Sequence, residues 1–303
     1  MTYQYNFKDA LAASERIHWR VEDLIGGDKR LDFSRPFMPE SFARTETLTF
    51  LSAHQRQVLN QIRGHSYLYL FGLVEEFILP FVLDHARSQL SGDDYRVRAL
   101  LQFAGEEAKH IHLFHRFRED FLAGFGMPID VIGPPEAIAR AVLDHEPLAV
   151  ALVILHLEWM TQRHYLDSIR DDAGICPQFK SLLKHHWMEE AQHAKLDTLM
   201  VASLAEGQDQ AALSRALDGY LDIGSILDGG LVQQLAFELD AFERATGREL
   251  SRLERSRTEA VQRQAMRWTF LGSGMTHPNF LASLDAMDPA LRTRMESVAP
   301  AFC

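Results

Sequence analysis

The stretch His186-Trp187-Met188-Glu189-Glu190-Ala191-Gln192-His193 decides how this chain is read. Written as a helix, residues 186, 190 and 193 stand one above another on a single face. Two imidazoles and a carboxylate on one stripe form a pre-arranged set of metal-ligand atoms. A second Glu-x-x-His lies upstream in Glu106-Glu107-Ala108-Lys109-His110. The two runs read E-E-A-K-H and E-E-A-Q-H, so the chain states one motif twice. A lone Glu-x-x-His is weak, because Glu and His meet by chance on many helices. Two in matched contexts are a specific signal.

Working outward, each motif has a single carboxylate ahead of it at the same interval. From Glu75 to Glu107 is 32 residues, and from Glu158 to Glu190 is also 32. At the first of these positions Glu75 and Glu76 are both open. The repeated interval and the apolar neighbours Phe71, Gly72, Ile78 and Leu79 favour Glu75. Glu158 is the only carboxylate between Pro147 and Asp167, and it sits among Leu155, Leu157 and Trp159. Glu106 and Glu189 also precede a histidine by four residues; they are expected outside the ligand set, either beside it or in solvent. His186, one turn above Glu190 and in line with His193, reads as a third imidazole ligand. His54, His65, His112, His115, His156, His164 and His185 have no comparable spacing and are expected on the surface or in core packing. Tyr69, Tyr165 and Trp159 are expected to be core aromatics.

The rest of the chain reads as helices. An amphipathic piece is expected over Asp9–Leu24, then a loop at Phe33–Pro39 where proline interrupts regular structure. A long helix follows from Ser52 to about Leu90, with a kink predicted at Pro80, which removes the amide that would bond the Glu76 carbonyl. Helices over 94–125, 147–170 and 177–206 carry the remaining candidate ligands, with a short helix at Pro135–Leu143 between them. Three more amphipathic stretches, at Asp209–Asp228, Gly230–Thr246 and Leu250–Leu271, precede a Pro-containing tail that ends in a helix at Pro289–Val298. There is no alternating strand pattern of useful length and no Gly-rich phosphate loop. The fold class is all-α: an N-terminal arm (1–48), a four-helix core (49–206) and C-terminal helices packing on it (207–303).

Composition bounds the function. The net charge of −11 excludes a basic nucleic-acid surface. Cys176 and Cys303 are the two cysteines, which supports neither a disulfide framework nor a cysteine metal site. Met1–Asn6 lacks a basic flank followed by an apolar run, so no signal peptide is expected. The longest apolar run, Leu148–Leu155, falls far short of a membrane span. A soluble cytoplasmic protein is the expectation.

A helix–turn–helix with Glu on the first helix and Glu-x-x-His on the second, stated twice, is similar to the ferritin-like di-iron or di-manganese pattern, a known template. At His186, Glu190 and His193 the sequence further resembles the p-aminobenzoate N-oxygenase family of di-iron oxygenases, in which an additional histidine precedes the second motif's glutamate by one turn. That resemblance spans roughly residues 50–206. It implies a ferritin-like bundle whose metal ligands are Glu75 (or Glu76), Glu107, His110, Glu158, His186, Glu190 and His193. It implies two iron ions, with manganese or a mixed Mn/Fe pair open. It also implies a monooxygenase-type activation of O2, spent on a small organic substrate such as an amine, with electrons from an external donor. Two other classes remain open: a ferroxidase or iron-handling protein, and a Zn or Mn hydrolase. A homodimer is also left open, and the substrate is not legible.

Overall fold

The structure, a computed structural model, describes residues 5–303. Of the stretch read for a signal peptide, residues 1–4 lie outside the described part. The helices are α1 (Phe7–Ser14), α2 (Glu40–Ala43), α3 (Ala53–Ser88), α4 (Asp94–Phe125), α5 (Pro135–Leu143) and α6 (Pro147–His164). They continue as α7 (Pro177–Ala205), α8 (Gln210–Thr246), α9 (Arg252–Arg267), α10 (Ser273–Met275), α11 (Pro278–Met287) and α12 (Pro289–Val298). No strand occurs among the described residues; the nearest thing to one is an isolated bridge between Gly26 and Lys29.

The chain punctuates the four long core helices with local chemistry. Ser52 and Gln55 form a reciprocal capping box that opens α3. The Asp93 carboxylate accepts the Tyr95 amide to open α4, and Gly126, at φ 78°, closes it in the left-handed region where a side chain would be strained. Both α6 and α7 begin with proline at the first helical position, where a missing amide costs nothing. α3 pairs with α4, and α6 pairs with α7, to make the bundle. α1 lies across α4 and α7, while α8 covers α3 and α6. A buried ion pair fixes that cover: Arg63 of α3 meets Glu238 of α8 at 3.0 Å, both nearly inaccessible. One turn away, Gln234 accepts the Ile132 amide and donates to Ser66.

By length and composition α3 is apolar enough to cross a membrane, which no single uninterrupted apolar run suggested. Every residue from Val58 to Glu75 is buried, and the helix supplies a buried glutamate, as the central helix of a bundle does. It runs unbroken through Pro80.

Other expectations change. The piece at Asp9–Leu24 is helical only to Ser14; beyond it the chain is irregular except for a single 3₁₀ turn at Val21–Asp23. The stretches at 209–228 and 230–246 are one helix. Gly229 and Gly230 do not break it: a Cβ on Gly230 would lie 3.2 Å from Ile132, so the glycine marks a close approach. The Pro-containing tail holds α11, and the helix after Leu250 passes through a π-helical turn at Trp268–Gly272. A second π turn, Tyr165–Ile169, ends α6.

Two histidines of the packed interior set an acid limit. Burial, with the nearby Arg118 charge, lowers the pKa of His65 to about 3. Burial likewise lowers His164 to about 3, although its hydrogen bond with the Thr269 backbone works against that. The unfolded chain therefore binds protons that the folded chain refuses. Stability is complete above the ordinary value of 6.5 and falls as pH drops toward about 3, by roughly 1.4 kcal/mol per pH unit for each group. Thermal melts across that range are expected to show Tm falling with acidity, and His65→Asn to flatten the slope. A pH-independent Tm would contradict neutral burial.

Candidate metal centre

The bundle axis brings together side chains from all four core helices: Glu75 (α3), Glu107 and His110 (α4), Glu158 (α6), and His186, Glu190 and His193 (α7). All are at most 3% exposed. Glu76 turns away. Its side chain is about a third exposed and faces His115 at 3.6 Å. The donor atoms of Glu75, His110, His186 and Glu190 all lie within 4.8 Å of one another. Those of Glu107, His110, Glu190 and His193 do the same, so the two groups share His110 and Glu190. Glu158 approaches from α6 and hydrogen-bonds Glu190.

Close approach without bonding distinguishes this cluster from an ordinary polar core. His110 Nδ1 is 2.9 Å from a Glu190 oxygen, and His193 Nδ1 is 2.8 Å from Glu107. Yet His110 Nδ1, both oxygens of Glu107 and one oxygen each of Glu75, Glu158 and Glu190 have no aligned hydrogen-bond partner among the described residues. Native interiors rarely leave such atoms unpaired. Two ligands held about 2.1 Å from one cation lie about 3 Å apart while pointing at it and not at each other. The donor set, three imidazoles and four carboxylates without a thiolate, fits two metal ions of the iron or manganese type, although imidazole alone also suits zinc.

The protonation pattern follows from the crowding. Burial disfavours a charged His110, but the nearby Glu190 carboxylate, the hydrogen bond with Glu189 and the charge of Glu75 outweigh it and push its pKa up to about 9. His186 and His193 are raised against the same burial by Glu190 and their hydrogen-bonded carboxylates. Burial also opposes ionisation of Glu190, yet the surrounding imidazoles hold it well below the carboxylate range. Burial and the adjacent Glu190 hold Glu158 well above that range.

The first glutamate of each motif is buried, not solvated, and acts on the other helix. Glu189 of α7 meets His110 Nε2 at 2.8 Å, and Glu106 of α4 meets His193 Nε2 at 2.9 Å. Each carboxylate fixes the ring whose Nδ1 faces the centre, the arrangement that orients metal-bound histidines. Hydrogen bonds from His193, Ser14 and Gln102, with the His193 charge, outweigh burial and hold Glu106 at about 2. The N-terminal arm supplies the next layer. Ser14, ending α1, donates to Glu106. Trp19 stacks on His110, with Lys109 lying 3.9 Å over its ring and paired to Glu189. Nothing in the spacing of residues 1–48 signals this contact.

Of the remaining histidines, His112 and His115 are half exposed, while His65, His156 and His164 are buried and hydrogen-bonded away from the cluster.

No protein-family model matches the sequence, and no curated protein matches it. Among solved structures, the chain is similar to an R2-like ligand-binding oxidase variant with an aerobically reconstituted Fe/Fe cofactor. That match has 14% identity and a TM-score of 0.50, covering 92% of this chain and 94% of that one. The chain has the ferritin-like fold. A further variant of that oxidase, with an Mn/Fe cofactor, superposes at a TM-score of 0.49, with 15% identity and coverage of 92% and 95%.

If Glu106 and Glu189 orient the histidines, Glu106→Ala and Glu189→Ala are each expected to weaken metal binding by about 10- to 100-fold while leaving the helical content intact. Calorimetric titration of the metal-free variants, with circular dichroism alongside, checks this; unchanged affinities would leave these carboxylates as packing alone.

Proposed function

We propose that the protein is a di-metal oxidoreductase that activates O2 and oxidises a small organic substrate, with iron as its metal. Manganese or a mixed Mn/Fe pair is the alternative. The observation that carries this reading is His186, whose Nε2 lies 3.1 Å from Glu75 and 2.8 Å from Glu190 inside the buried cluster. A third imidazole in that position is the feature by which the sequence resembles the p-aminobenzoate N-oxygenases, and it favours N-oxygenation of an amine within the wider oxidase class. The Fe/Fe cofactor of the similar R2-like oxidase supports the same metal chemistry.

Two redox-active ions held here would supply the binding and reduction of O2. The chain's own residues do the rest. Glu75 and His186 would hold one ion and Glu107 and His193 the other, with His110 and Glu190 common to both groups and Glu158 beside Glu190. Glu106 and Glu189 keep the imidazoles in register. Phe71 and Phe114 pack on His186, and Phe103 stacks on His193, so bulk water is kept from the donor atoms.

An apolar cavity of about 70 Å³ lies between α3, α6 and α8, lined by Leu70, Val74, Leu157, Ile226 and Phe270 among others. Val74 and Leu157 each precede a cluster glutamate, and Ile226 is partly exposed, which suits this cavity to receive the apolar part of a substrate. No flavin or nicotinamide motif accompanies the site, so electrons come from a separate donor.

Oxygen consumption by chemically reduced, iron-loaded protein tests the reading. Wild type is expected to consume O2 and to convert members of an aryl-amine panel. His186→Ala is expected to keep its fold and lose at least about tenfold in rate. An unaltered trace in that variant would remove the third-histidine assignment. Absence of any O2 reaction in wild type would turn the reading towards hydrolysis.

A further inference from the structure

The cover over the metal centre is uneven. On one side α8 lies over α3 and α6 and is pinned by the buried Arg63–Glu238 pair. On the other, α4 and α7 are covered by α1 and by the irregular segment 17–20 that follows it. This strap is tethered at both ends. Ser14 donates to Glu106, and the Leu24 carbonyl accepts from Gln178 of α7. Between the tethers, the His18 and Trp19 amides donate to no other backbone group among the described residues. Segments so sparsely bonded open locally at low cost, so the strap is the part of the cover that yields most readily.

The side chain that the strap lays over the centre is Trp19. Its ring is parallel to that of His110, with centroids 6.1 Å apart, and meets His185 edge-on at 5.8 Å. One indole thus touches both a fully buried imidazole of the cluster and a partly exposed one. The Trp19 Nε1–H is shut off from water and has no acceptor among the described residues. An unpaired buried donor carries a desolvation cost, and outward movement of the ring removes it. What holds the ring in place is stacking and the Lys109 ammonium, 3.9 Å over its face.

His185 is oriented to receive a cation. Its Nδ1 lies 2.7 Å from the Ser181 carbonyl, which can only accept, so Nδ1 carries the ring proton and Nε2 keeps its lone pair. Neutral imidazole nitrogen in that state is a metal donor.

We propose that divalent ions of the iron or manganese type enter the centre beneath this strap, with His185 Nε2 as an outer, transient donor and Trp19 as the gate between it and His110. This rests on the di-metal reading above.

The test is stopped-flow mixing of the metal-free full chain with Co²⁺, followed by visible absorption. Release into excess chelator is followed in the same way, and calorimetry gives the stoichiometry. Wild type is expected to bind two ions. Trp19→Ala is expected to take them up and release them about tenfold faster or more, because no gate has to open, with the same number bound. Trp19→Phe, which restores a ring, is expected to return both rates towards wild type. His185→Ala is expected to slow uptake and release several-fold with unchanged stoichiometry and spectrum, since a transient donor lowers the barrier in both directions and leaves affinity alone. Unchanged uptake in Trp19→Ala, whatever its release rate, would make Trp19 a packing partner of His110 and overturn the gate. Wild-type rates in His185→Ala would overturn the outer donor. Failure of wild type to bind two ions would instead overturn the di-metal reading, and the entry route with it.

Discussion

Carboxylates buried together in an apolar bundle repel one another and lose their hydration, and the rest of this structure depends on how that is resolved. An uncompensated buried ion costs several kcal/mol, a large share of a domain's stability. Glu75, Glu107, Glu158 and Glu190 are all at most 3% exposed within one cluster, with only three imidazoles to offset them. Burial and mutual charge push Glu158 up and hold Glu190 down while the three imidazoles rise, so protons alone cannot satisfy the cluster. Two cations resolve the conflict in a way protons do not, because the donor atoms converge on points between the residues and leave hydrogen bonds unmade.

The surrounding layers serve that centre. The two Glu-x-x-His helices exchange support, the outer glutamate of each holding the inner histidine of the other. Loss of either helix's geometry is thereby felt by both metal positions. The N-terminal arm ties into the same network through Ser14 and Trp19. At the far side α8 is pinned to α3 by the Arg63–Glu238 pair, whose partners are each at most 3% exposed. Removal of one partner there would leave the other's charge buried and unpaired.

Much of this was legible in residue spacing. A ligand stripe on a helix is a strictly local pattern, so the doubled motif and the 32-residue interval point to Glu107, His110, Glu158, His186, Glu190 and His193 without any tertiary information. The core helix ends were equally readable, since Ser52, Asp93, Pro147 and Pro177 act through nearest neighbours. Contacts between distant segments were not readable. The burial of Glu106 and Glu189 depends on a histidine of another helix, and the role of Ser14 depends on where α1 docks. Gly229-Gly230 carries a breaker's signature but serves a close approach to Ile132, which only packing reveals.

The most direct measurement of the central claim is the Mössbauer spectrum of protein loaded with ⁵⁷Fe. Two irons per chain in distinct environments, magnetically coupled through shared ligands, are what the overlapping donor groups predict. A single uncoupled iron, or none retained, would contradict a di-metal centre in this bundle.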